Sequence, residues 1–396
     1  MKILVVIGTR PEAIKMAPVI RALQSVPDQV DISVCSTGQH RQMLDQVLSL
    51  FHIRPDVDLN LMRENQTPSQ VAAGVLSALD PLLAEMQPDW MLVQGDTTTV
   101  MAATIAAFNR KVRVAHVEAG LRTYDRENPF PEEMNRVVAD HVSDLHFAPT
   151  LQARAQLLAE GIPARSIFVT GNTVIDALLW AVEQPLTETA RQELLDNHLI
   201  RHVQEDSRHL ILVTAHRREN HGEPIRQICH ALRNLAQARP GFNIVYPVHR
   251  NPNIWEPVHE LLDKVPGITL TPPLDYLTLI HLMKRCVLIL TDSGGIQEEA
   301  PSLGVPVLVL RKTTERPEAV AAGAVRLVGV ETDAILQEVD RLLDDPLAYQ
   351  AMAQAINPYG DGLASERIVD VLLSGRCNEF VAGDRQPARI DPGGMI

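Results

Sequence analysis

The sequence predicts an α/β protein built from two doubly wound, Rossmann-like domains facing a cleft. Three observations lead there. Short β-rich runs alternate with helical patterns almost throughout, the runs fall into two series, and 396 residues exceed what one hydrophobic core usually supports. With 45% hydrophobic residues, each domain can have its own core.

The first series of strands is expected at residues 3–7, 32–35, 91–93, 112–117, 145–147 and 167–169. The second is expected at 210–213, 244–246, 268–270, 287–290, 305–309 and 325–328. Between them, residues 183–206 are polar, carry Pro185 and show no clear strand. The expected division is an N-terminal domain at 1–172 and a C-terminal domain at 173–362. A helix at 363–376 is expected to pack back on the first domain, and the tail at 377–396, rich in glycine and proline, to be disordered or loosely docked.

Composition narrows the function classes. Acidic residues exceed basic ones by 49 to 36, which argues against a general nucleic-acid or membrane-surface binder and leaves room for a local anion pocket. Cys35, Cys229, Cys286 and Cys377 are scattered, without metal-ligand spacing, as in a reduced cytoplasmic protein. The run before Gly8 is too short for a signal sequence, and no stretch approaches the roughly 20 apolar residues of a membrane span. A soluble protein is expected.

In open α/β sheets, ligands bind beyond the carboxyl ends of the strands, so strand ends carry the functional information. The first strand runs into GTRPEAIKMAP, where Pro11 suits the first turn of a helix. Arg10 and Lys15 there can converge on phosphate oxygens, unless Glu12 holds Lys15 in a surface pair. This is not the GxGxxG loop of a dinucleotide site. Near the second strand, Gln39, His40 and Arg41 open a helix.

The next two strand ends carry acids. Asp96, in LVQGDTTTV, is either a helix N-cap, the commoner role, or a site carboxylate. Glu118, in VAHVEAGLR, follows an apolar strand and needs a partner there, for which Arg122 is the nearby candidate. In ENPFPEEMNR, Pro131 starts a helix whose first turn holds Glu132 and Glu133. Successive helical residues point about 100° apart, so only one acid faces a given site; Glu132 and Arg136, four apart, share a face and can pair.

The second domain's first strand ends in ILVTAHRREN, which places His216, Arg217 and Arg218 together. That trio suits diphosphate recognition and protonation of a leaving oxygen. The following strand ends in YPVHRNPN, with His249 before a turn. In LILTDSGGIQEEAPSLGVPVLVL, the apolar run is stopped by Asp292, Ser293 and the pair Gly294-Gly295, then a helix and another apolar run follow. Unpaired N–H groups at such a helix start can receive an anion, and Glu298 or Glu299 can reach ribose hydroxyls. In KTTERPEAV, Thr313 or Thr314 is the candidate cap of a helix containing Glu315 and Glu318.

Taken in order, GTRPEAIKMAP, TGQHRQML, GDTTTV, HVEAGLRT, FPEEMNR, GNTVIDAL, HRREN, PVHRNPN, TDSGGIQEEAPSLGVPVLVLR, TTERPE and NPYGDG form a set more specific than any one of them. Through them the chain, from about residue 1 to 375, resembles the non-hydrolysing UDP-N-acetylglucosamine 2-epimerase family of bacteria.

The resemblance implies a two-domain fold of the glycosyltransferase-B type, usually homodimeric and cytoplasmic, needing neither nicotinamide nor metal. It implies interconversion of UDP-N-acetylglucosamine and UDP-N-acetylmannosamine by elimination of UDP to 2-acetamidoglucal and re-addition, supplying a surface polysaccharide pathway. By resemblance, Asp96, Glu118 and Glu132 are the acids serving C2, with His216 among the catalytic groups. Arg10, Lys15, Ser293, Gly294, Gly295 and Glu299 hold UDP, with Arg136 as a further substrate contact. Gln39, His40 and His249 are candidate contacts for substrate acting as an allosteric activator. The departure at Ala215, where relatives often carry Thr or Gly, falls next to His216. A UDP-sugar glycosyltransferase of the same fold and a hydrolysing epimerase are the rival readings.

Overall fold

The computed structural model describes residues 1–38, 41–63, 65–199 and 209–384. The chain divides into two compact units, Met1–Ala177 with Tyr359–Val381, and Leu178–Pro358 with the described residues from Ala382 onward.

The first unit holds a seven-stranded, all-parallel sheet in the order β3-β2-β1-β4-β5-β6-β7. Its strands are β1 (Lys2–Ile7), β2 (Asp31–Ser36), β3 (Val57–Asp58), β4 (Trp90–Gln94), β5 (Arg113–Val117), β6 (Leu145–Ala148) and β7 (Ile167–Val169). Strand β3 is two residues long, too short to leave a sequence pattern, and it was not among the expected strands. β1, β4 and β5 are buried almost throughout, as strands covered on both faces must be.

Threonines set where the helices begin. Thr9 accepts from the Glu12 N–H to open the helix Arg10–Gln24, and Thr97 accepts from Val100 to open Thr98–Asn109. Thr67 and Gln70 form a complete capping box before Pro68–Met86. Each cap satisfies a backbone donor that would otherwise lack a partner, worth about 1 kcal/mol. The strand order reverses between β1 and β4, so the loops after these strands splay apart and leave a crevice at the sheet's carboxyl edge.

The helix Ala364–Ser374 belongs to this unit and packs on Arg10–Gln24. It has no cap of its own. Asp176 serves instead, accepting from the backbone N–H groups of Ala364 and Ser365 at 3.2 and 2.7 Å and from the Ser365 hydroxyl at 2.6 Å. Burial pushes the Asp176 carboxyl up to about 6, against the pull of these bonds. The start of the tail docks: Phe380 is buried, its N–H donates to the Val169 carbonyl at 2.7 Å, and Glu379 pairs with Arg154. The buried Phe380 ring and the bonds at Asn378, Glu379 and Phe380 hold this stretch in spite of the glycine and proline content that follows. The remainder of that tail, from residue 385, lies outside the described residues.

The second unit holds a six-stranded parallel sheet in the order β10-β9-β8-β11-β12-β13. Its strands are β8 (Leu210–Thr214), β9 (Asn243–Pro247), β10 (Ile268–Thr271), β11 (Leu288–Thr291), β12 (Val307–Val309) and β13 (Val325–Leu327). The core centres on Ile211, Val213, Tyr246, Leu288 and Leu290, packed under the helices Glu223–Ala238 and Pro252–Leu262. Tyr246 is fully buried and its hydroxyl donates to the Ala215 carbonyl at 2.7 Å. The switch point lies between β8 and β11, whose last residues, Thr214 and Thr291, join hydroxyls at 2.6 Å. The doubly wound expectation thus holds for both units. No helix among the described residues is long and apolar enough to cross a membrane.

Candidate active site

In the first unit, the candidate residues follow β1, β4 and β5, around the switch point. Glu118 is the central one. It has a left-handed backbone, φ 65°, a conformation that costs a non-glycine residue roughly 1–3 kcal/mol and persists only where its surroundings enforce it. Its carboxylate is 7% exposed and accepts from the Lys15 ammonium at 2.5 Å and the Gln94 amide at 2.6 Å. Arg122, the expected partner, is elsewhere. Two residues on, Gly120 has φ 86°, and a Cβ there would lie 2.4 Å from the Ala153 carbonyl oxygen, so no side chain fits.

Arg122 pairs with Asp140 at 2.8 Å and with Glu160 at 2.7 Å. Asp140 is fully buried and also accepts from the Gly120 N–H at 3.2 Å and meets His116 Nδ1 at 2.6 Å. The other His116 nitrogen, Nε2, lies 2.7 Å from the Gly95 carbonyl oxygen. Both ring nitrogens face acceptors, the pattern of an imidazolium. Burial works against that charge, but the Asp140 carboxylate and the Gly95 carbonyl outweigh it and raise the His116 pKa. Burial likewise opposes ionisation of Asp140, yet His116 and Arg122 hold it down at about 2. This buried relay ties the turn after β5, with Glu118, to the turn after β4, with Asp96.

Asp96 is not a helix cap; the adjacent Thr97 takes that role. Its carboxylate is a third exposed and pairs with Arg136 at 2.8 Å, while Asn135 donates to its backbone carbonyl at 3.0 Å. Arg136 therefore meets Asp96 and, at 3.6 Å, Glu133 rather than Glu132. One helical step explains this. Glu133 faces inward and accepts from the backbone N–H groups of Thr123 and Tyr124, whereas Glu132, half-buried at the start of the helix Glu132–Val142, points elsewhere.

Arg10 and Lys15 both lie on the helix after β1, and Lys15 reaches Glu118. Glu12 does not hold Lys15. It is 2% exposed and accepts from the Gly8 N–H at 2.6 Å, and burial pushes its carboxyl up to about 7. Gln39 and His40 lie outside the described residues.

In the second unit, the turn after β11 is wrapped by the turn after β8. Asp292, fully buried, accepts through Oδ2 from the His216 N–H, the Arg217 N–H and the Asn220 amide, each at 2.8 Å. Ser293 precedes the helix Gly294–Glu299 without capping it through its side chain. Gly294 lies in that helix and outside the left-handed region, so its backbone conformation does not require a glycine. A Cβ there would face Arg217 Nη2 at 3.5 Å and Arg316 Nη2 at 3.8 Å, so two guanidinium groups flank the glycine turn.

The structure separates the two adjacent acids. Glu298 is buried against Arg316, while Glu299 accepts from the Tyr276 hydroxyl at 2.8 Å and turns its other oxygen toward Gly295. Thr314 caps no helix: it bonds Gln297 at 2.6 Å, and the next helix is the short Pro317–Ala321, which excludes Glu315. His249 is exposed and stacks on His216, ring centres 5.6 Å apart. Among the described residues, no group of three or more His, Cys, Asp or Glu could hold a metal ion.

The model of the UDP-N-acetylglucosamine 2-epimerase family matches residues 21–373. The chain belongs to this family. A UDP-N-acetylglucosamine 2-epimerase of Salmonella typhimurium is 52% identical over 377 residues, covering 95% of this chain and 99% of the relative. The crystal structure of UDP-GlcNAc 2-epimerase from Neisseria meningitidis bound to UDP-GlcNAc is 51% identical, covers 94% of this chain and 100% of its own, and superposes with a TM-score of 0.86. The enzyme of Methanocaldococcus jannaschii, solved with UDP-GlcNAc and UDP, is 34% identical with a TM-score of 0.77, covering 94% and 99%.

Membership in the 2-epimerase family puts the missed residues in perspective. Gln94 and His116 sit inside apolar strands, where a polar side chain must find a partner, and that was the signal available. Asp292 stands in the sequence as the stop of a strand and Asp140 lies inside the helix Glu132–Val142; both are fully buried.

Proposed function

We propose that this chain interconverts UDP-N-acetylglucosamine and UDP-N-acetylmannosamine without releasing the sugar. The observation that carries the reading is Glu118: a carboxylate fixed on a left-handed turn between an ammonium and an amide, at a strand end of a chain in this family.

The chemistry requires such a group. The hydrogen at C2 of the sugar is not next to a carbonyl, so its direct removal would leave an unstabilised carbanion. Elimination avoids this: a carboxylate takes the C2 proton, the C2–H electron pair becomes the C1=C2 bond of 2-acetamidoglucal, and the C1–O pair leaves with UDP. Re-addition of UDP and return of a proton to the other face of C2 complete the inversion.

Asp96, Glu118 and Glu132 supply the base and acid for the two faces. Lys15 and Gln94 fix the Glu118 rotamer, and Arg136 does the same for Asp96. Arg10 and Lys15 are the cations of the first unit that suit phosphate. In the second unit, His216, Ser293, Gly294 and Gly295 receive the diphosphate, and Glu299, oriented by Tyr276, accepts from the ribose hydroxyls. The reading extends to a cytoplasmic homodimer that supplies a surface polysaccharide pathway. Gln39, His40 and His249 then contact substrate acting as an activator.

The test is incubation of the protein with UDP-N-acetylglucosamine alone, followed by proton and phosphorus NMR. A mixture of the two UDP-sugars with no accumulation of free UDP is expected. Stoichiometric UDP with free N-acetylmannosamine would show a hydrolysing enzyme instead, and turnover only with an added acceptor would show a transferase.

A further inference from the structure

We infer that Asp292 is a positioning residue for His216, holding the imidazole with its proton on Nδ1 and thereby directing Nε2 at the departing diphosphate. The two oxygens of Asp292 do different things. Oδ2 accepts three hydrogen bonds of 2.8 Å, from the N–H groups of His216 and Arg217 and from Asn220. Oδ1 is buried and has no hydrogen-bond partner.

A buried carboxylate oxygen without a donor is costly, and the group near it is His216 Nδ1, at 3.6 Å. A shift of under about 1 Å brings this pair to ordinary hydrogen-bond length. The backbone of His216 is already pinned by the same carboxylate, so only rotation of the imidazole is needed. Site groups often tighten in this way when the substrate binds.

The consequence is chemical. A ring whose Nδ1 proton is given to a carboxylate presents Nε2 outward, and the carboxylate's charge raises the basicity of the ring, so that Nε2 can carry a proton toward an anion. The side chain of His216 is 38% exposed, so a ligand can reach it. Among the described groups, Asp292 approaches it from the turn after β11, His249 stacks on it from the turn after β9, and Arg217 follows it in the same loop. His249 and Arg217 oppose a further positive charge there, and Asp292 favours one.

This inference rests on the proposed epimerase chemistry for the role of Nε2, but the ring state itself can be read without turnover. Nitrogen NMR of the 15N-histidine-labelled protein, with His216 assigned through the H216N variant, reports which nitrogen carries the proton. A proton on Nδ1 is expected for the wild type with UDP bound, in the neutral Nδ1–H tautomer or the imidazolium, and a neutral ring protonated on Nε2 alone would overturn the inference. Asp292→Asn keeps an acceptor for the two backbone N–H groups while placing an amide opposite Nδ1. It is expected to lower the His216 pKa, shift the acid limb of the kcat profile, and reduce kcat by about 10- to 100-fold with KM changed by less than about threefold.

In an H216N background the same substitution should reduce kcat by less than about twofold further, since the two residues act as one unit. Additive losses, or an unchanged His216 titration in D292N, would show a purely structural aspartate. If wild-type protein performs no chemistry at C2, the functional reading fails while the tautomer result still stands.

Discussion

Glu12→Gln isolates the energetic consequence of burying a carboxyl at the start of the helix after β1. Glu12 is fully enclosed; its Oε2 accepts from Gly8 and its Oε1 has no hydrogen-bond partner. Burial raises its pKa from 4.5 to about 7. Because the folded pKa is the higher one, the unfolded chain holds fewer protons between these values, and stability falls as pH rises through the window. At about 1.4 kcal/mol for each tenfold in proton affinity, the loss is about 3 kcal/mol. Gln accepts from Gly8 as Glu does but never ionises, so the variant lacks this loss. Urea unfolding of both proteins at several pH values from 4.5 to about 8 should show the wild type losing about 3 kcal/mol relative to E12Q across that range. Parallel pH profiles would refute the reasoning, whatever constant offset the buried amide introduces.

Three further outcomes follow from the site. Glu118→Gln should leave UDP affinity within a few-fold and lower kcat by about 10²- to 10⁴-fold, checked by calorimetry and steady-state rates; near-wild-type activity would remove Glu118 from the proton chemistry. Gly294→Ala should fold at least as stably as wild type, since alanine suits a helix better and meets only arginine tips, yet bind UDP about 10-fold more weakly because the Cβ blocks the anion's approach. Asp140→Asn should cost about 3 kcal/mol of stability above pH 4, read as a lower Tm, because it strands the buried charge of His116 and leaves Arg122 with Glu160 alone. In the wild type, the Asp140 contribution is present above its ordinary pKa of 3.8 and lost as pH falls through about 2, while that of His116 is lost as pH rises through its raised value.

The strands, and the strand-end positions of the candidate site, were legible because a parallel sheet buries both faces and writes each strand as an apolar run, beyond whose end ligands bind in open α/β sheets. Asp96, Glu118, His216 and the glycine turn could all be found that way. Pairings could not. Sequence neighbours suggested Arg122 for Glu118 and Glu132 for Arg136, but the partners come from other elements: Lys15, Gln94 and Asp96. Sequence distance says little when the sheet order brings β1, β4 and β5 side by side. The aspartates Asp140 and Asp292 were missed for a related reason: each acts by holding backbone N–H groups of a distant loop, a role that leaves no local pattern. Glu298 and Glu299 could be separated only by seeing Arg316 occupy one of them.

The central claim is that the C2 proton leaves and returns while UDP departs and re-adds. Turnover of UDP-N-acetylglucosamine in deuterated water, with no acceptor present, tests it most directly. Deuterium should appear at C2 of both UDP-sugars. Formation of UDP-N-acetylmannosamine that retains the original C2 hydrogen, or recovery of unchanged substrate with no deuterium at C2, would contradict it.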